Sequence, residues 1–124
     1  LGYRAPYLKE TARLVVEGKL PMAQLGRIDY PAVKAALLRC EGVGDKVADC
    51  VALFGFEKYE AFPIDVWIER AMRYYFRHRK MTRRHLHDYA ATHFGLYAGY
   101  AQQYLYHYIR NFREQSAFSH QLSA

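Results

Sequence analysis

The stretch Leu38-Arg39-Cys40-Glu41-Gly42-Val43-Gly44-Asp45-Lys46-Val47-Ala48-Asp49-Cys50 joins two segments of helical periodicity through a turn built on two glycines. Glycine has no Cβ, so Gly42 and Gly44 can both take positive φ and the chain can reverse within a few residues. Such a reversal lays amide N–H groups beside the start of the next helix, where the partial positive charge favours an anion such as a phosphate. A hairpin of this kind grips a nucleic-acid backbone without reading its sequence. The same two glycines also suit a plain helix–turn–helix, one ending a helix and the other easing the turn. By themselves they do not choose between binding and architecture.

Working outward, the helical period continues almost everywhere, and no run shows the strict alternation of a strand. Upstream, Asp29 is placed to cap a helix over Tyr30 to Leu38, with Pro31 preset for its first turn. Before it, Arg4 to Glu17 carries Tyr7, Leu8, Ala12, Val15 and Val16, with Gly18 as a stop. Downstream, a helix from Asp45 to Phe54 is expected to end at Gly55. Pro63 closes the next loop, and Asp65 can cap a helix from Val66 to Phe76. Thr82 to His93, stopped by Gly95, and Tyr97 to Arg113 complete the set, and the tail from Gln115 to Ala124 is expected to fray. The expected fold is all-α, with about six helices in one domain over residues 1–124.

The 124 residues hold 18 Lys and Arg against 12 Asp and Glu, and the isoelectric point is about 9.4. That surplus suggests a polyanionic partner, although basic proteins also stay soluble this way. The 12 tyrosines suit a surface apolar in body and polar at the tip, whether a nucleic-acid groove or the rim of a core. Cys40 and Cys50 form no Cys-x-x-Cys pair, which argues against structural zinc and for a reduced, intracellular protein. His78, His85, His87 and His93 have no consistent ligand spacing with carboxylates, and no metal is assigned to them. No apolar run reaches membrane-spanning length, and no signal-peptide pattern opens the chain. The start at Leu1-Gly2-Tyr3 reads as the interior of a longer protein.

The hairpin followed by Phe62-Pro63-Ile64-Asp65-Val66, with Leu1-Gly2-Tyr3-Arg4-Ala5 and Tyr97-Ala98-Gly99-Tyr100-Ala101-Gln102, makes four blocks over residues 1 to about 110. Together they resemble the helix–hairpin–helix DNA glycosylases, and within them the 8-oxoguanine glycosylase/AP lyases of bacterial type. The resemblance implies excision of an oxidised purine from double-stranded DNA, with Lys46 as nucleophile and Asp65 as the essential carboxylate. Partial burial and nearby positive potential would help the Lys46 amine lose its proton. Without them Lys46 is only a phosphate contact, and Asp65 reads equally as a helix cap.

The remaining roles come from the same resemblance. Cys50 and Tyr106 would flank a flipped base, and Gln102 would hydrogen-bond its Watson–Crick edge; their structural alternatives are core filler, packing aromatic and solvated polar residue. Tyr3 would fill the gap in the duplex and Arg4 would bond the orphaned cytosine. Gly42, Val43, Gly44 and Trp67 would contact the DNA backbone, Trp67 standing where the animal enzymes have His. The carbonyls of Leu38, Cys40 and Val43 match positions that can hold a monovalent cation. No other cofactor is expected, and no iron–sulfur cluster, because the late four-cysteine motif is absent from this stretch. The basic run from Arg70 to Arg84 reads as a solvated face.

The resemblance also places the reader of the protonated N7 before residue 1. The 124 residues alone are therefore expected to be a poor enzyme, binding DNA weakly and self-associating through uncovered apolar faces. Two other functions share parts of the pattern. A monofunctional alkylbase glycosylase needs Asp65 and the hairpin but not Lys46, and a non-catalytic helix–hairpin–helix module needs only the glycines. Any of these would be intracellular and DNA-associated, in the cytoplasm or nucleoid of a bacterium.

Overall fold

The computed structural model describes residues 2–76 and 81–112. It is all-helical: seven α-helices, α1 Ala5–Val16, α2 Met22–Leu25, α3 Tyr30–Leu38, α4 Asp45–Gly55, α5 Val66–Tyr75, α6 Arg83–Phe94 and α7 Ala98–Phe112, with no strand among the described residues. Six have nine residues or more; α2 is a single turn after Pro21 that periodicity does not reveal. No helix of the described residues is long and apolar enough to cross a membrane. The chain falls into two compact units, Leu1–Ala61 and Phe62–Ala124.

Three helices begin at a capping side chain, two of them, at Asp29 and Asp65, where the sequence places one. Asp29 accepts the Ala32 N–H at 3.0 Å, Asp65 accepts the Ile68 N–H at 2.7 Å, and Thr82 accepts the His85 N–H at 3.3 Å. The His85 ring nitrogen accepts the Thr82 N–H in return, closing a capping box. Each cap satisfies an amide that the helix itself cannot reach. Gly55 does not stop α4 but is its last residue, and Phe56 takes the C-cap.

In the first unit α3 packs on α4 through Val33 and Leu37 against Ala48, Ala52 and Leu53. A second cluster joins Leu20, Leu25, Ala36 and Cys40, with Leu14, Val43 and Phe56 at its edge. The α1 helix buries none of its residues completely and carries an exposed ladder in which Arg13 pairs with Glu10 and Glu17. In the second unit α5, α6 and α7 enclose Phe62, Ile64, Ile68, Ala71, Met72, Leu86, Ala90, Ala98 and Ile109. Glu69 on α5 pairs with Arg73 at 3.0 Å and with Arg83 of α6 at 3.2 Å. Part of the basic run is thus structural. Arg77, Arg79, Lys80 and His78, like the tail from 113 onward, lie outside the described residues.

Candidate active site

The hairpin uses its two glycines differently. Gly42 has φ +82°, and a Cβ there would meet Cγ and Cδ2 of Tyr7 at 2.5 Å. The Tyr7 ring of α1 therefore packs directly on the turn, and both backbone conformation and space demand glycine. Gly44, expected to share the positive φ, instead has φ −95° and ψ −174°. It is extended because it serves as the N-cap of α4, and a Cβ there would meet nothing within 4 Å. The fold does not require glycine at 44.

Gly44 gives α4 no side-chain cap, in contrast to the carboxylates and hydroxyl at the starts of α3, α5 and α6. The partial positive charge at this helix start is thus not met by a capping side chain. Lys46 lies in the first turn and is exposed, so the partial burial named as a condition for its role is not met. Beside the turn, Arg4, Tyr7, Glu41, Gly42 and Val43 border a mainly apolar concavity of about 320 Å³.

Cys40 is buried in the core and Val43 is half-buried at its edge. The Cys40 carbonyl accepts the Val43 N–H at 3.1 Å. That uses one of its two lone pairs, so the donor set expected for a monovalent cation, Leu38, Cys40 and Val43, keeps an oxygen able to ligate. Cys50 is half-buried on α4, one turn beyond Lys46. Tyr3 and Arg4 occupy a 3-10 turn, Gly2–Arg4, and both are exposed, with the guanidinium 5.1 Å from the Tyr3 ring centre.

One group in this unit escaped sequence reasoning. Asp49, fully buried on α4, accepts from the Tyr30 hydroxyl and from Lys34 Nζ at 3.0 Å, and Lys34 also pairs with Asp45 at 2.7 Å. Burial works against the charge on Lys34, but the two carboxylates outweigh it and hold its pKa above the ordinary value. Burial first, and then Asp49, push the Tyr30 phenol upward. The signal was present in the sequence, since Asp49 stands on the stripe that places Ala48, Ala52 and Leu53 inside.

In the second unit, Asp65 spends one carboxylate oxygen on the cap of α5. Trp67 is half-buried against the core and carries the Arg70 guanidinium 5.4 Å from its ring centre. Gln102 is not the solvated polar residue that was its structural alternative. It is 5% exposed, and its Nε2 donates to the Pro63 carbonyl at 3.0 Å, two residues before Asp65. Tyr106, one turn later on α7, is 37% exposed and so keeps part of its surface open.

No protein-family model matches the chain. It is 42% identical over 110 residues to a probable N-glycosylase/DNA lyase of Methanothermobacter thermautotrophicus, covering 89% of this chain and 35% of that protein. It is 32% identical to the N-glycosylase/DNA lyase OGG1 of Arabidopsis thaliana, covering 85% of this chain and 32% of that one. A crystal structure of the Clostridium acetobutylicum 8-oxoguanine glycosylase/lyase, bound to double-stranded DNA with cytosine opposite 8-oxoguanine, matches with a TM-score of 0.84 at 35% identity. That match covers 89% of this chain and 38% of the Clostridium chain. The chain thus spans about a third of the length of the curated relatives it matches. By sequence and by fold, it is similar to one part of the N-glycosylase/DNA lyases.

Proposed function

We propose that the protein carrying this sequence is a base-excision repair enzyme, an intracellular DNA glycosylase with AP lyase activity that removes 8-oxoguanine from duplex DNA. Both helical units are taken as parts of one catalytic domain. The observation that carries the reading is the position of Lys46, in the first turn of a helix that starts without a side-chain cap directly after the Gly42–Gly44 turn. Backbone grip and amine then move as one rigid body.

The chemistry follows from that arrangement. The neutral Lys46 amine attacks C1′ while the C1′–N bond breaks, its electron pair leaving with the base, which takes up the proton that the amine gives away. The sugar becomes cationic on the way, and the Asp65 carboxylate stabilises that charge. Opening of the sugar ring leaves an iminium between Nζ and C1′. Loss of a C2′ proton then expels the 3′ phosphate and cuts the strand, and water releases the lysine. Cys50, Tyr106 and Gln102 form the base pocket in this reading, Tyr3 and Arg4 attend the vacated stack and the opposite cytosine, and Gly42, Val43, Gly44 and Trp67 meet the backbone. A monovalent cation on the Leu38, Cys40 and Val43 carbonyls would add positive charge at the hairpin.

The test is borohydride trapping, in the longest natural protein that carries this sequence, on a duplex with 8-oxoguanine opposite cytosine. A covalent adduct is expected from the wild type, and none from Lys46→Gln, which keeps its DNA binding. Asp65→Asn preserves the cap but removes the charge, so excision should fall by orders of magnitude with little loss of stability. Undiminished trapping by Lys46→Gln would overturn the assignment of the nucleophile.

A further inference from the structure

Both ends of the Gln102 amide are engaged. Its Nε2 donates to the Pro63 carbonyl at 3.0 Å, and its Oε1 accepts from Gln103 Nε2 at 2.6 Å. A carbonyl oxygen only accepts, so Pro63 decides which end of the amide is which: the NH2 turns to Pro63 and the oxygen to Gln103. The two glutamines differ in exposure, Gln102 being buried and Gln103 on the solvent side of α7.

We propose that Gln103 is a gating residue, whose side-chain amide occupies the Gln102 oxygen and must be displaced by the N–H groups of an entering base. The inference rests on the glycosylase reading above, and adds to it a competitor built into the chain. A base whose edge offers N–H donors replaces the bond it breaks. A base presenting an acceptor there leaves the Gln102 oxygen unpaired, and an unmade buried hydrogen bond costs more than a made one contributes. Gln103 then returns and the base is rejected. The gate therefore lowers affinity for every base by the same bond, and discrimination among bases rests on what then pairs with the Gln102 oxygen.

The experiment measures DNA affinity in the longest natural protein carrying this sequence, in a Lys46→Gln background so that nothing turns over. Gln103→Met keeps the length of the side chain without its donor, and Gln103→Ala removes both. Gln103 is exposed and within a helix, where Met and Ala are both well tolerated. Each variant should bind a duplex with 8-oxoguanine opposite cytosine roughly two- to tenfold more tightly, the worth of one net hydrogen bond. Binding to a duplex with a tetrahydrofuran abasic analogue, which has no base edge, should not change. An equal change on both duplexes, or no change on either, overturns the gate. A Lys46→Gln protein with unaltered Gln103 that shows no preference for the lesion over undamaged duplex overturns the glycosylase reading, and the gate with it.

Discussion

Alanine at Gly42 and alanine at Gly44 should have opposite consequences, and the structure gives the sizes. At Gly42 the backbone has φ +82°, a left-handed conformation that costs an alanine about 1–2 kcal/mol. Its Cβ would stand 2.5 Å from two carbons of the Tyr7 ring, so the ring must move or the turn must open. Overpacking of that kind costs about 1–3 kcal/mol. The sum, about 2–5 kcal/mol, is a large part of the stability of an ordinary domain. At Gly44 φ is −95° and a Cβ meets nothing within 4 Å, so only a weaker N-cap is lost, under about 1 kcal/mol. Urea denaturation followed by circular dichroism reads both, and salt-controlled duplex binding reads the functional side. Gly44→Ala should stay folded, and on the proposed function it should bind DNA less tightly, because its methyl would occupy the approach of a phosphate. Adding Tyr7→Ala should recover part of the loss caused by Gly42→Ala, since the clash partner is gone. Gly42→Ala within about 0.5 kcal/mol of the wild type, or Gly44→Ala as unstable as Gly42→Ala, would refute this division of labour.

Tyr30→Phe should destabilise the first unit by about 1–3 kcal/mol, because buried Asp49 loses a hydrogen-bond donor; an unchanged urea midpoint would show that the phenol contributes nothing. For Glu69, burial raises the pKa, but hydrogen bonds from Arg73 and Arg83 outweigh it and leave the group below its ordinary 4.5. A depressed carboxylate contributes stability above its unfolded pKa and loses it as pH falls through the folded one, so the wild type should weaken below about pH 4.5 and Glu69→Gln should flatten that part of the urea-midpoint profile.

Helix positions were legible because their causes are local. Asp29, Asp65 and Thr82 cap the helices they precede, and the boundaries agree within a residue or two, since a cap needs only an amide three residues away. The α2 turn was invisible because four residues cannot display a period. Gly42 and Gly44 look alike in sequence, yet one reverses the chain and the other starts a helix.

For the candidate site, the sequence offered Lys46 and Asp65 through their pattern and Gln102 through the resemblance, because motif spacing is a property of the chain. Their surroundings were not. Gln102 could have been a solvated amide; that it is buried on the carbonyl of Pro63, with Gln103 on its oxygen, depends on a residue 39 positions away. Lys46 could have been partly buried, and is exposed. Asp49 stood unnoticed on an apolar stripe, because its partners Tyr30 and Lys34 are supplied by another helix. Periodicity fixes the face on which a side chain stands, whereas the group opposite that face is set by how the helices pack.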